Sequence, residues 1–154
     1  MMGSIAIDRS RPFDAENFIG KGWCTTQEQP HALALTRLDL DALRFEHGLQ
    51  PGEEHISGEE KLLRFAEKPE SGLDVKIGQA LYEQEEQTAL NLIAEYHDIS
   101  FLELTGTALV APDGDRCLFY LARRGLGSEW RWGCLPTNAK RDSRVVSPMV
   151  PSGT

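Results

Sequence analysis

The sequence predicts an α+β domain: a C-terminal antiparallel β-meander of three to four strands, covered on one face by two to three helices from the middle of the chain. Three observations predict it. Apolar residues recur at helical spacing between residues 57 and 97. After Asp98 the period changes to two, and the Pro-Asp-Gly signal at residues 112–114 divides the alternating stretch. A chain of 154 residues has room for one such domain and one core. The expected organisation is a flexible arm over residues 1–12, a single domain over 13–135 and a loose tail over 136–154, in which Val145, Val146 and Met149 are the apolar residues placed to dock.

Phe13, Phe18, Ile19 and Trp23 supply apolar bulk after the arm, punctuated by Gly20-Lys21-Gly22. Residues 31–47 fit two periods. Leu33, Leu35, Leu38, Leu40, Leu43 and Phe45 favour short strands over 32–37 and 43–47, while Leu35, Leu38, Ala42 and Phe45 also share one helical face. Ser57-Gly58-Glu59-Glu60 matches a capping box, with Leu62, Leu63 and Ala66 as the expected buried stripe and Pro69 as the stop. Asp74 is placed to cap a helix over 75–86 with Ile77 and Leu81 inward. Ala89, Leu92, Ile93 and Tyr96 then follow the i, i+3, i+4, i+7 pattern; a break at Gln87-Thr88 is left open.

Strands are expected over 99–104, 107–111, 116–122 and 129–135. With Asp113-Gly114 as a two-residue turn, Val110 faces Cys117 and Ala108 faces Phe119. With Gly125-Leu126 central in the next turn, Phe119 faces Trp132, Leu121 faces Trp130 and Cys117 faces Cys134. That register gathers the aromatic rings under the helices. It also sets two thiols close enough for a disulfide, although reduced buried thiols are the expected state.

The net charge of −8 is uneven. Residues 39–103 hold 16 acidic and 5 basic residues, a net of −11, whereas residues 107–154 hold 4 and 7, a net of +3. An acidic chain is a poor partner for a phosphate backbone, so nucleic acid is not expected. No apolar run approaches the roughly 20 residues of a bilayer span, and no basic-then-apolar leader opens the chain. Three scattered cysteines argue against a disulfide framework, and a cytoplasmic location is expected.

Residues that carry chemistry are sparse. His31, His47, His55 and His97 lack metal-ligand spacing. Asp39/Asp41 and Asp113/Asp115 read as turn chemistry rather than cation sites. Gly125-Leu126-Gly127 precedes a strand and not a helix, so it is no phosphate cradle. No nucleophile motif occurs, and no cofactor or metal is expected. The functional expectation is a small accessory, immunity-like or inhibitor-like domain that binds a basic protein partner through acidic helical surface. Its contact residues would be Glu53, Glu54, Glu59, Glu83, Glu85 and Glu86. Arg123 and Arg124 at the hairpin mouth are expected to bind an acidic group or the chain's own acidic helices. A pocket between helices and sheet that serves a ligand or a reaction is the alternative, and self-association is a third possibility.

Overall fold

The computed structural model describes residues 2–28, 34–125 and 127–151. It is mixed α and β, with antiparallel sheets and four helices among the described residues. The central sheet has four strands in the order β2 (Cys24–Glu28), β7 (Phe101–Val110), β8 (Arg116–Ala122), β9 (Arg131–Pro136). Its fourth strand therefore comes from near the N-terminus and not from the C-terminal half.

Both expected registers are corrected. Val110 pairs with Arg116 and Leu109 with Cys117, one residue away from expectation. The reason lies in Gly114, whose φ of +92° makes it the left-handed third residue of a Pro112-Asp113-Gly114 loop. The Ala111 N–H donates to the Asp115 carbonyl at 2.9 Å and closes that loop. Between Leu104, opposite Phe119, and Leu109 the register shifts. Gly106 lies in this irregularity, and a Cβ there would come within 2.6 Å of the Gly72 and Leu73 carbonyl oxygens, so only glycine admits the crossing chain. The second connection, residues 123–130, is longer than a two-residue turn; Leu126 lies outside the described residues. Phe119 pairs with Cys134, Leu121 with Trp132 and Cys117 with Pro136. Cys117 and Cys134 are thus diagonal rather than opposed, and all three cysteines are free thiols.

Strand alternation assigns the two faces. Leu102, Leu104, Leu109, Phe119, Leu121 and Trp132 share one face by register. Phe119 and Trp132 stack at 6.0 Å, and Phe18 packs on Trp132 at 5.2 Å from α1 (Ala15–Phe18). Helices α3 (Val75–Glu83) and α4 (Thr88–His97) add Ile77, Leu81, Leu90 and Ile93, all fully buried in the same cluster. The opposite face carries Glu103 and Tyr120. It receives α2 (Gly58–Ala66), whose inward residues are Lys61 and Phe65 instead of the expected stripe, since Leu63 is 66% exposed. Lys61 displaces that stripe because its ammonium donates to Glu103 Oε1 at 3.0 Å. Ser57 does cap α2, accepting from the Glu60 N–H at 3.1 Å, but the Glu60 carboxylate turns to Arg64. At α3, the Asp74 carboxylate accepts from Arg9 rather than capping, and Thr107 Oγ1 accepts from the Val75 N–H.

Shorter strands complete the fold. β1 (Ser4–Ala6) pairs with β3 (Arg37–Asp39), so the expected N-terminal arm contributes a strand. A 3-10 turn, Leu40–Ala42, leads to β4 (Arg44–Glu46). The region 31–47 thus holds two short strands, but the first begins at Arg37, where the expected 32–37 strand ends, and residues 34–36 are not strand. Residues 31–33, including His31, lie outside the described residues. β5 (Ile56–Ser57) pairs with β10 (Lys140–Arg141), and β11 (Ser147–Pro151) lies between β4 and β6 (Glu70–Gly72). The segment expected as a loose tail thus supplies a central strand, with Met149 and Val150 buried.

Candidate functional site: two clefts beside the β8–β9 loop

The sequence Glu83-Gln84-Glu85-Glu86-Gln87 ends one helix and starts another. Glu83 and Glu86, three residues apart, would meet as like charges on a continuous helix, and Gln84 leaves helical geometry with ψ of 137°. Glu85–Gln87 form a 3-10 turn in which Glu86 and Gln87 take φ of +56° and +50°. Two consecutive non-glycine residues in the left-handed region are costly, and the surrounding hydrogen bonds hold them there. Gln84 Oε1 accepts from the Ala89 N–H at 2.7 Å and so caps α4. The Thr88 hydroxyl donates to the Glu85 carbonyl and the Asn91 amide to the Glu86 carbonyl.

Gln87 turns inward while its acidic neighbours stay exposed. Its side chain accepts from the Trp130 N–H at 2.9 Å and donates to the Trp130 carbonyl at 3.1 Å, as a neighbouring strand would. The Trp130 indole N–H donates to Asn91 Oδ1 at 3.1 Å, and the ring is fully buried. Arg123 lies over that ring at 5.6 Å and donates to the same Asn91 oxygen at 3.4 Å. The helix junction therefore fixes both ends of the β8–β9 connection.

Two clefts border this connection. One, of about 630 Å³, is lined by Glu83, Glu85, Glu86, Arg123, Ser128 and Glu129 among others. The other, of about 780 Å³, is lined by Tyr120, Arg123, Arg124, Ser128, Glu129, Arg131 and Trp132 among others. Arg123, Ser128 and Glu129 belong to both. Glu85, Glu86, Glu129, Arg124 and Arg131 are exposed, and among the described residues none makes a side-chain ion pair.

The structure separates the expected acidic contact residues into two groups. Glu83, Glu85 and Glu86 converge at the first cleft with Arg123. Glu53, Glu54 and Glu59 lie elsewhere, around the start of α2. Arg64 grips the Glu53 carboxylate with both Nη1 and Nη2, and this bond, aided by the Gln50 N–H, pulls the carboxyl down to about 2. Glu59 pairs with Arg116 at 2.7 Å, and Glu54 is exposed. Arg123 meets the acidic helix junction through Asn91 and Trp130, not through a carboxylate. Arg124 lines only the second cleft.

Other candidate groups have local partners. Asp39 and Asp113 each accept from the backbone N–H two residues on, at 3.0 and 2.9 Å, and the Asp41 carboxylate accepts from the Met2 N–H. His47 Nδ1 accepts from the Leu49 N–H, and the His97 ring rests on Phe45 at 4.6 Å. Among the described residues no group of three His, Cys, Asp or Glu side chains could hold a metal ion, and no helix is long and apolar enough to cross a membrane.

Sequence reasoning missed the polar anchors Gln87 and Asn91, and it missed the buried cluster of Lys61, Glu103 and Arg141. All three side chains of that cluster are fully buried. Glu103 also accepts from Arg141 Nε at 3.1 Å and Nη2 at 3.0 Å. Arg141 further donates to the carbonyls of Leu135, Pro136 and Ala139, and Lys61 to that of Val145. One signal was available: Glu103 interrupts the run Phe101-Leu102-Glu103-Leu104, where a strand buried on both faces demands an internal partner for any charge.

The chain matches no protein-family model, no curated protein and no solved structure.

Proposed function

We propose that this domain is a protein-interaction module whose contact is the acidic cleft of Glu83, Glu85, Glu86 and Glu129, and that its partner presents basic side chains. The observation that carries the reading is the contrast between the two acidic groups. Of the other group, Glu53 and Glu59 are neutralised within the chain and only Glu54 is exposed without an ion partner among the described residues. All three carboxylates at the helix junction are instead exposed, without ion partners among the described residues and gathered at one cleft. They are presented by a backbone held in a costly conformation, and strain of this kind concentrates where surface geometry serves binding. In the same reading, β7–β9 form a C-terminal meander with α3 and α4 over one face, a rigid base for the cleft. Exposed charge favours fast, salt-sensitive association with modest affinity.

Titration of the isotope-labelled protein with an arginine-rich peptide tests this. Amide shifts should concentrate at residues 83–87 and 128–129 and weaken as salt is raised. Shifts spread evenly over all acidic surface, or insensitive to salt, would overturn the reading.

A further inference from the structure

We infer that the basic partner is a second copy of this chain, docked about a two-fold axis beside Arg123, Ser128 and Glu129. This rests on the acidic-cleft reading and names its partner. A two-fold contact is self-complementary: a patch of each copy meets a different patch of the other, twice. Such a surface must carry both complements side by side, and the two clefts supply them. Glu83, Glu85 and Glu86 line one, and Arg124 and Arg131 line the other. Arg123, Ser128 and Glu129 are shared, so the opposite signs flank one stretch of chain. Rotation by half a turn about these shared residues sets the arginines of each copy against the carboxylates of its partner.

The arginines suit the role because their charge is not used within the chain. Arg9, Arg44, Arg64, Arg116, Arg141 and Arg144 each pair with an acid of the same molecule, whereas Arg11, Arg37, Arg124 and Arg131 have no ion pair among the described residues. Of these four, Arg124 and Arg131 line the cleft that shares Arg123, Ser128 and Glu129 with the acidic one. Arg123, shared by the two clefts, is held over Trp130. Two-fold docking also accounts for a basic cluster on a chain with a net charge of −8, where uniform acidity would keep copies apart.

Sedimentation of the full chain across a range of concentrations at low salt is the test, with two patch reversals, Arg124→Glu/Arg131→Glu and Glu83→Lys/Glu85→Lys. The wild-type mass should rise with concentration and return to the monomer value on adding salt. Each reversal alone should raise the dimer dissociation constant by at least about tenfold, because like charges then face each other twice. An equimolar mixture of the two variants should regain the wild-type dimer, since both contacts become attractive again; regain also shows that both variants fold. A mixture that stays monomeric, or a wild type monomeric at about millimolar concentration, overturns the inference. If that monomer still binds the arginine-rich peptide at residues 83–87, only self-pairing fails; if it does not, the acidic-cleft reading fails with it.

Discussion

Replacing Glu103 by alanine removes the carboxylate that, among the described residues, alone pairs with Lys61 and Arg141 in their fully buried cluster. The two cations then face each other without compensation, and removing one partner of a buried ion pair costs about 3–5 kcal/mol. Lys61→Met has a different balance. It leaves Glu103 paired one-to-one with Arg141, and it relieves the desolvation that lowers the Lys61 pKa. Against this, the Val145 carbonyl loses the Lys61 donor, a cost of about 1–3 kcal/mol that the new apolar contact partly offsets. The expected order is therefore a loss of about 3–5 kcal/mol for Glu103→Ala and about 1 kcal/mol or less for Lys61→Met. Urea unfolding followed by tryptophan fluorescence measures both, and the first should lower the midpoint by more than about 1 M. Equal losses for the two variants, or a Glu103→Ala loss under about 1 kcal/mol, would refute the claim that Glu103 balances this cluster.

Burial, then the nearby Arg141, depresses the Lys61 pKa from its ordinary 10.5, while Glu103 opposes the shift. The unfolded chain therefore binds more protons between the folded and ordinary values, so this residue's contribution to stability grows as pH rises through that window. Wild type minus Lys61→Met, followed by denaturant titration on the alkaline side, should show that rise; a flat difference would remove it. Cys24 is exposed and Cys117 buried, and burial pushes the Cys134 thiol up to about 12, so one equivalent of a thiol reagent at neutral pH should label Cys24 first. Mass spectrometry of the digest checks the site, and equal labelling of all three would contradict the described burial. Glu86→Gly should stabilise the fold by up to about 1 kcal/mol by relieving the φ of +56°, read as a raised urea midpoint.

The parts legible in the sequence are those set by local chemistry. Ser57 caps α2, and the change from helical to alternating period at Asp98 marks where α4 gives way to β7. What failed depended on partners remote in sequence. The one-residue register error at Val110 came from treating Asp113-Gly114 as a two-residue turn, although Gly114 serves equally well as the third residue of a longer loop. Tyr96 fits a helical stripe yet is 60% exposed, because Leu90 and Ala94 face the core in its place. The tail reads as loose because Pro, Ser, Asn and basic residues crowd it from Pro136 onward, with Val145, Val146 and Met149 alone placed to dock. But Val145, Val146 and Arg141 are fixed by Lys61 and Glu103 from distant elements. At the candidate site, the acidic residues of the helix junction were visible as a charge run. Their separation from Glu53 and Glu59 was not, because it depends on Arg64 and Arg116 lying nearby in space.

The most direct measurement compares two triple neutralisations that change net charge equally. Glu83→Gln/Glu85→Gln/Glu86→Gln alters the cleft, and Glu54→Gln/Glu67→Gln/Glu95→Gln alters exposed acids elsewhere. Calorimetric titration with the same arginine-rich peptide should show at least about a tenfold loss of affinity for the cleft variant and little change for the control. Equal weakening of the two would mean that overall charge, and not this cleft, attracts the cation.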